Sequence, residues 1–357
     1  MGIKIVRILL IIPTLKQGGA ERVMSILANR FISMGHEVNL LFLSEPSCFY
    51  RVDSKVQIYT LHQECNNTRF AKLYAFFMTF KLRSVLKSVN PDFVLSFMTP
   101  YNIFTLISGI GLNLNIFVSD RSNPNKKLPF LTRLLRNIFY RNAVGIIAQT
   151  ELAKDSLYNI TKHKNIKVIY NPIEVSLIPL NTREKYILNV GRLVKEKGQS
   201  YLLDAFSRVP NLDWKLVLLG DGPLKEQLLE QIEKLNLTDR VLLLGSVDNV
   251  EEWYSKSSIF AFSSISEGFP NALAEAMCAG LPCVSFDCDT GPRDIIKNNI
   301  NGFLVPTGES MLLKEKIIQL INDKDLRCEI GEEAAKIKND LDSDSIASLY
   351  LNFCTGK

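Results

Sequence analysis

The sequence predicts an α/β protein built from two parallel-sheet domains, and three observations carry that expectation. Short aliphatic, β-branched runs alternate with amphipathic stretches along most of the chain, the pattern of repeated β-α units. A length of 357 residues suits two domains of ordinary size, and 46% apolar residues supply a core for each. Charge divides sharply. Residues 1–170 carry 22 Lys/Arg against 9 Asp/Glu (+13), and residues 171–357 carry 20 against 28 (−8), which together give the net +5. The change falls at Asn171-Pro172, a rigid extended break, so the boundary is placed within 171–184, with a first domain over 1–170 and a second over 171–340.

The first half opens on Met1–Pro13, which is basic and then apolar. Ile5–Ile12 spans only eight residues, and no small-residue cleavage site follows, so this reads as a buried first strand rather than a signal peptide. No apolar run approaches the roughly 20 residues of a membrane span. Pro13–Gly19 is a loop, Ala20–Met34 a helix with Val23, Ile26, Leu27 and Phe31 on one face, and Val38–Leu43 the second strand. The loop ends in Gly18-Gly19, whose amides could receive a phosphate or sugar, although paired glycines also serve simply as turn residues. It is not the G-x-G-x-x-G of a dinucleotide site.

Two stretches, Arg69–Lys87 and Lys126–Arg141, interleave basic and apolar residues at helical spacing. Each reads either as a membrane-interface helix or as a core-facing helix with a solvated basic back. Asp92–Phe97, Ile116–Ser119, Ala143–Ala148 and Lys167–Tyr170 read as strands. The turn Ser119–Pro124 follows a strand's carboxyl end, where open α/β sheets place their sites. A basic half suggests an anionic membrane, a lipid-linked phosphate or nucleic acid as partner. Nucleic acid is disfavoured, because no recognition motif is present and the aromatics sit at core-like spacing.

The second half continues with strands at Tyr186–Val190, Leu216–Gly220, Val241–Gly245, 258–262 and 282–286, separated by helices over Gly198–Arg208, 224–235 and 249–256. Its centre is residues 263–283, SSISEGFPNALAEAMCAGLPC. Ser263–Gly268 reads as a loop, Pro270 fits the first turn of a helix over Asn271–Ala279, and Gly280 ends that helix. Glu275 lies among Leu273, Ala274, Ala276 and Met277, so its carboxylate needs a hydrogen-bonding partner. Ribose hydroxyls or a backbone amide would both serve. The seven cysteines are scattered with no C-x-x-C pair, which favours reduced thiols over disulfides or a zinc site.

S-E-G-F-P-N-x-L-x-E-A-M-x-x-G-x-P-x-V resembles the donor-binding signature of the retaining, nucleotide-sugar-dependent glycosyltransferases of family 4, which have the GT-B fold. G-G-A-E-R (Gly18–Arg22), Asn171-Pro172-Ile173 and G-R-L-x-x-x-K-G (Gly191–Gly198) resemble the same family's N-terminal loop, interdomain junction and phosphate loop. The resemblance is strongest over 186–306, fair over 5–43, and poor over 44–142. It implies two Rossmann-like domains facing across a cleft, with a terminal helix over 341–357 returning to the first domain.

The resemblance also implies roles. Arg192 and Lys197, five apart after a strand, would stabilise the charge developing on a departing diphosphate. Glu267 would meet the donor sugar's hydroxyls and Glu275 the ribose, so the two are not a glycosidase pair. Amides at Phe269 and Asn271 would face the sugar and phosphates, Gly18 and Gly19 would contact the ligand, and the loop at Val247 would meet the base, with uracil favoured. Some relatives carry a histidine near residue 120. This chain's His36, His62 and His163 lie elsewhere, so Asp120 or Arg121 could substitute, or Asp120 could simply cap its turn. Asp287-Cys288-Asp289 and Asp342-Ser343-Asp344 have D-x-D form but read as a loop and a helix cap, and no metal cofactor is expected.

The expected enzyme is therefore a retaining hexosyltransferase. It would use a UDP-hexose or UDP-N-acetylhexosamine and a polyprenyl-diphosphate-linked saccharide in O-antigen, polysaccharide or glycan biosynthesis. It would be cytoplasmic and peripheral on the inner membrane face. A UDP-sugar epimerase of the same fold and a non-catalytic nucleotide-sugar binder are the alternatives.

Overall fold

The computed structural model describes residues 4–16, 18–44, 48–61, 71–121, 123–174, 183–210 and 212–356. His62, Cys65, Arg69, Phe70, Ser122 and the boundary segment 175–182 lie outside the described residues. The chain forms two compact units, one of Met1–Pro172 with Ser343–Lys357, the other Ile173–Asp342.

Unit 1 contains β1 (Arg7–Ile12), α1 (Gly19–Ser33), β2 (Glu37–Phe42), β3 (Gln57–Thr60), α2 (Ala71–Val89), β4 (Phe93–Phe97), α3 (Thr99–Gly109), β5 (Ile116–Ser119), α4 (Phe130–Phe139), β6 (Gly145–Ala148), α5 (Glu151–Thr161) and β7 (Ile166–Val168), and it closes with the C-terminal helix Ser343–Thr355. The strands form one parallel sheet in the order β3-β2-β1-β4-β5-β6-β7, so the strand order reverses between β1 and β4. β1 is aliphatic from Ile8 to Ile12 because both its faces are covered there. Ile8, Leu10 and Ile12 point into one core with Leu27 and Phe31 of α1 and Ile346 and Tyr350 of the C-terminal helix. Leu9 and Ile11 point into the other, with Leu82 and Leu86 of α2 and Ile103 and Leu106 of α3. That is the two-residue period of a strand read from both sides.

The two basic stretches form α2 and α4. α2 buries Leu82 and Leu86 but leaves Phe77 and Phe80 about half exposed. α4 is more unusual. It turns Leu135 and Phe139 to the core and exposes Phe130 (71%), Leu131 (62%), Leu134 and Ile138, while Arg136 points inward and is buried. The strand expected at Lys167–Tyr170 lies one to two residues earlier, as β7. α3, α5 and β3 are additional elements.

Unit 2 contains β8 (Tyr186–Val190), α6 (Gln199–Ser207), β9 (Lys215–Leu219), α7 (Lys225–Lys234), β10 (Val241–Gly245), α8 (Val250–Lys256), β11 (Ile259–Phe262), α9 (Asn271–Cys278), β12 (Cys283–Asp287), α10 (Pro292–Ile295), β13 (Phe303–Pro306), α11 (Ser310–Asn322), α12 (Lys324–Ala335) and α13 (Lys338–Leu341). Its six strands are all parallel in the order β10-β9-β8-β11-β12-β13, with the reversal between β8 and β11. Both units are Rossmann-like, which is the pair of domains that makes a GT-B protein. Among the described residues, no helix is long and apolar enough to cross a membrane.

Candidate active site

In an open parallel sheet, ligands bind beyond the carboxyl ends of the two strands where the order reverses. In unit 2 those strands are β8 and β11, whose following loops are Gly191–Gly198 and Ser263–Pro270. The sequence packs these loops tightly. Gly198 has φ +62°, and a Cβ there would sit 2.1 Å from the Ser263 carbonyl oxygen, so only glycine fits. Ser263 Oγ donates to the Lys197 carbonyl (3.0 Å), and the Ile265 amide donates to the Glu196 carbonyl (2.8 Å). On the other side, Leu193 is braced by Asp221 after β9, whose carbonyl accepts its amide (2.9 Å).

These contacts bring Lys197 and Glu267 together. Lys197 Nζ donates to Glu267 Oε1 at 2.6 Å, with side-chain exposures of 22% and 9%. The ammonium also stands over the Phe262 ring, 5.7 Å from its centroid, where the ring quadrupole favours a cation. Glu267 is fixed further by Thr290, whose hydroxyl donates to the Glu267 carbonyl (2.5 Å). Behind it, burial and then the Glu267 charge push the Cys288 thiol up to about 12. Arg192 behaves differently. Its carbonyl accepts from Gln199 Nε2 (3.0 Å), while its side chain is exposed and makes no ion pair among the described residues. The loop thus holds one cation paired with a carboxylate and two, Arg192 and Lys195, presented to solvent.

Past the Glu267 loop, Pro270 (φ −87°, ψ 71°) centres an inverse γ-turn. The Asn271 amide, expected to face a ligand, instead closes that turn on the Phe269 carbonyl (3.0 Å). The next amides of α9, at Ala272 and Leu273, are the ones without an acceptor inside the helix. Phe269 is buried (6%) and anchors the turn. One turn into α9, Glu275 is 5% exposed, and its Oε2 accepts from Tyr254 Oη at 3.0 Å. Sequence reasoning asked for a partner at Glu275 but did not find Tyr254. A buried tyrosine on the preceding helix also needs an acceptor, and matching the two needs was the available signal.

The other candidates lie on other elements. Val247 follows β10 at the sheet's edge, two strands from β8. Gly18 and Gly19 lie in unit 1 at the start of α1, after β1, and the Gly18 amide donates to the Tyr50 hydroxyl (3.3 Å). Asp120 and Arg121 are occupied internally. Asp120 Oδ1 accepts from Tyr140 Oη (2.5 Å) and Thr99 Oγ1 (2.9 Å), and burial followed by the Asp120 charge pushes the Tyr140 hydroxyl well above its ordinary range. Arg121 stacks on Phe97, 3.6 Å from the centroid, and donates to Asn171 Oδ1 (2.5 Å) and Tyr350 Oη (2.7 Å). Of the D-x-D sequences, Asp287 is held by Arg293 through two 2.9 Å bonds, and Asp344 pairs with Arg30 (3.3 Å).

Comparison with known proteins places this geometry in a family. Residues 17–177 match the model described as Glycosyltransferase Family 4, and residues 176–337 match Glycosyl transferases group 1. An alpha-1,4-N-acetyl-D-galactosaminyltransferase of Campylobacter jejuni, named for GalNAc-alpha-(1->4)-GalNAc-alpha-(1->3)-diNAcBac-PP-undecaprenol, is 30% identical over 355 residues, 97% of each chain. The chain belongs to the family 4 glycosyltransferases. A second Campylobacter jejuni relative, N-acetylgalactosamine-N,N'-diacetylbacillosaminyl-diphospho-undecaprenol 4-alpha-N-acetylgalactosaminyltransferase, is 26% identical over 97% of this chain and 98% of its own. Among solved structures, Anabaena HepE in complex with UDP and glucose shares the fold, with a TM-score of 0.86 at 19% identity over 99% of this chain and 100% of HepE.

Unit 2 carries cations and carboxylates on the loops and helix that follow β8 and β11. Arg192 and Lys197 are cations able to hold an anion, and α9 begins at the end of the β11 loop, where its first amides and the positive end of its dipole also favour one. Glu267 and Glu275 can accept hydrogen bonds from hydroxyls.

Proposed function

We propose that this glycosyltransferase takes a hexose or N-acetylhexosamine from a UDP-sugar and transfers it, with retention at the anomeric carbon, to a hydroxyl of a polyprenyl-diphosphate-linked saccharide. The observation that carries the reading is the Lys197–Glu267 pair at the β8/β11 reversal, with Arg192 exposed in the same loop. Arg192 and Lys197 neutralise the departing diphosphate, Glu267 receives the sugar's hydroxyls, Glu275 receives the ribose, and the Val247 loop meets the base. A side-chain nucleophile is not part of this scheme. A donor phosphate oxygen takes the acceptor's proton as the new bond forms on the face that the leaving group vacates. The acceptor class is supported by the undecaprenol-linked saccharides for which the two Campylobacter relatives are named, and the nucleotide by the UDP in HepE.

In this reading the enzyme works on the cytoplasmic face of the inner membrane, in surface polysaccharide or glycan assembly. The outward faces of α2 and α4 supply a contact. Phe77, Phe80, Phe130, Leu131, Leu134 and Ile138 are exposed there, with Lys126, Lys127, Arg133 and Arg141 among the exposed cations of the same stretches. Apolar side chains that enter an interface and cations that hold anionic headgroups are the two components of peripheral binding.

The test is a screen of UDP- and GDP-sugars against a synthetic polyprenyl-diphosphate saccharide, with and without chelator, read by mass spectrometry and anomeric NMR. Expected is one α-linked addition from a UDP-sugar that survives chelation. Turnover of a UDP-sugar without acceptor would instead identify an epimerase, and chelator loss rescued by manganese would refute the metal-independent scheme.

A further inference from the structure

We infer that Tyr254 is a positioning residue for the nucleotide. Through Glu275 it sets how strongly the site distinguishes a ribose from a sugar lacking vicinal hydroxyls, an inference that rests on the reading of Glu275 as the ribose acceptor. Tyr254 is 1% exposed on α8, its ring packed against Phe260 of β11 at 6.0 Å, so its hydroxyl cannot wander. That hydroxyl lies 3.0 Å from Glu275 Oε2 and 3.3 Å from the Ala272 carbonyl. A tyrosine has one proton to give, and a carboxylate at the shorter distance is the stronger acceptor. The bond therefore ties the carboxylate to the buried ring of α8. A glutamate has three side-chain torsions to fix, and holding them before ligand arrives removes that ordering from the binding step.

Tyr254→Phe keeps the ring and its packing and removes only the hydroxyl. Binding of UDP and of 2′,3′-dideoxy-UDP is measured by calorimetry for wild type, Tyr254→Phe and Glu275→Gln, alongside donor kinetics. Expected is a wild-type preference for UDP of at least about tenfold, abolished by Glu275→Gln and reduced about three- to tenfold by Tyr254→Phe, the scale of one ordinary intramolecular hydrogen bond. The affinity for the dideoxy nucleotide should be unchanged in Tyr254→Phe, and KM for donor should rise with kcat held. A purely structural tyrosine would lower thermal stability and leave the UDP/dideoxy ratio alone. If Glu275→Gln also leaves the ratio alone, the ribose reading itself is wrong. If Glu275→Gln abolishes the preference and Tyr254→Phe retains it in full, the ribose reading stands and the positioning role is overturned.

Discussion

Replacing Lys197 by alanine should cost the enzyme about 10²–10³ in kcat/KM, or about 3–4 kcal/mol, the scale of one lost preorganised electrostatic contact. The structure adds a sharper expectation about coupling. At 2.6 Å, and with an effective dielectric near 20, the gross attraction between Lys197 and Glu267 is about 6 kcal/mol. Most of that offsets the desolvation of two groups that are 22% and 9% exposed, which leaves a net coupling of about 1–3 kcal/mol. Glu267→Gln and Lys197→Ala should therefore be non-additive. Once Lys197 is gone, Glu267 is a buried carboxylate without its cation, and neutralising it removes a penalty. The double variant should be about as active as the worse single variant, and more stable than Lys197→Ala. The assay is a double-mutant cycle on kcat/KM, with thermal unfolding of each variant alongside. Two results would refute the reasoning: additivity within about 0.5 kcal/mol, or Lys197→Ala retaining activity within threefold of wild type.

Arg192→Ala should lower kcat by about 10²-fold yet shift stability by less than about 0.5 kcal/mol, because the side chain is exposed and unpaired among the described residues; Arg192→Lys should recover only part, since a point charge replaces a two-pronged donor. Phe130→Ser with Leu134→Ser on α4 should abolish sedimentation with vesicles rich in anionic phospholipid while leaving the melting temperature unchanged, and wild-type binding should weaken as salt rises. Cys278 and Cys288 are pushed up to about 12 by burial, with Glu275 and Glu267 as the next causes, and burial raises Cys283 and Cys354 as well. Iodoacetamide on the native protein at pH 8 should therefore label Cys48 and Cys328 and spare these four. The unfolded thiols ionise near pH 8.5 and the folded ones do not. Stability should thus be flat below that pH and fall above it, by about 1.4 kcal/mol per pH unit for each buried thiol, in a pH series of urea midpoints.

What the sequence made legible is local. The loops after β8 and β11 could be read because a strand, a glycine and a helix start follow one another within a few residues, and parallel topology then places both loops at one reversal. Contacts between distant residues were not legible. Sequence reads Asp120 as a turn cap or a ligand residue, and does not show that its carboxylate serves Tyr140, Thr99 and Asn102, from two other parts of the chain. Arg121 likewise finds Asn171 and Tyr350 only once β5 and the C-terminal helix are packed. The course of the Asn271 amide is hidden from sequence for a different reason. Sequence shows that Pro270 lacks an amide, but not that its ψ of 71° folds the next amide back on Phe269.

The orientation of α4 shows where periodicity stops being informative. Its apolar residues occupy a wide arc, and the spacing cannot say which side meets the sheet. Tertiary structure decides by packing the half-buried Leu135 and Phe139 against the core and burying Arg136, whose Nη1 lies 4.0 Å from Asp120 Oδ2. Drawing an arginine inward next to a buried carboxylate forces Phe130, Leu131, Leu134 and Ile138 outward. The outward apolar face is therefore a consequence of how Asp120 is neutralised. Arg136→Leu should let the helix roll, cover part of that face, and weaken vesicle binding without touching any exposed residue; if binding is unchanged while Asp120 loses its partner, the two features are independent.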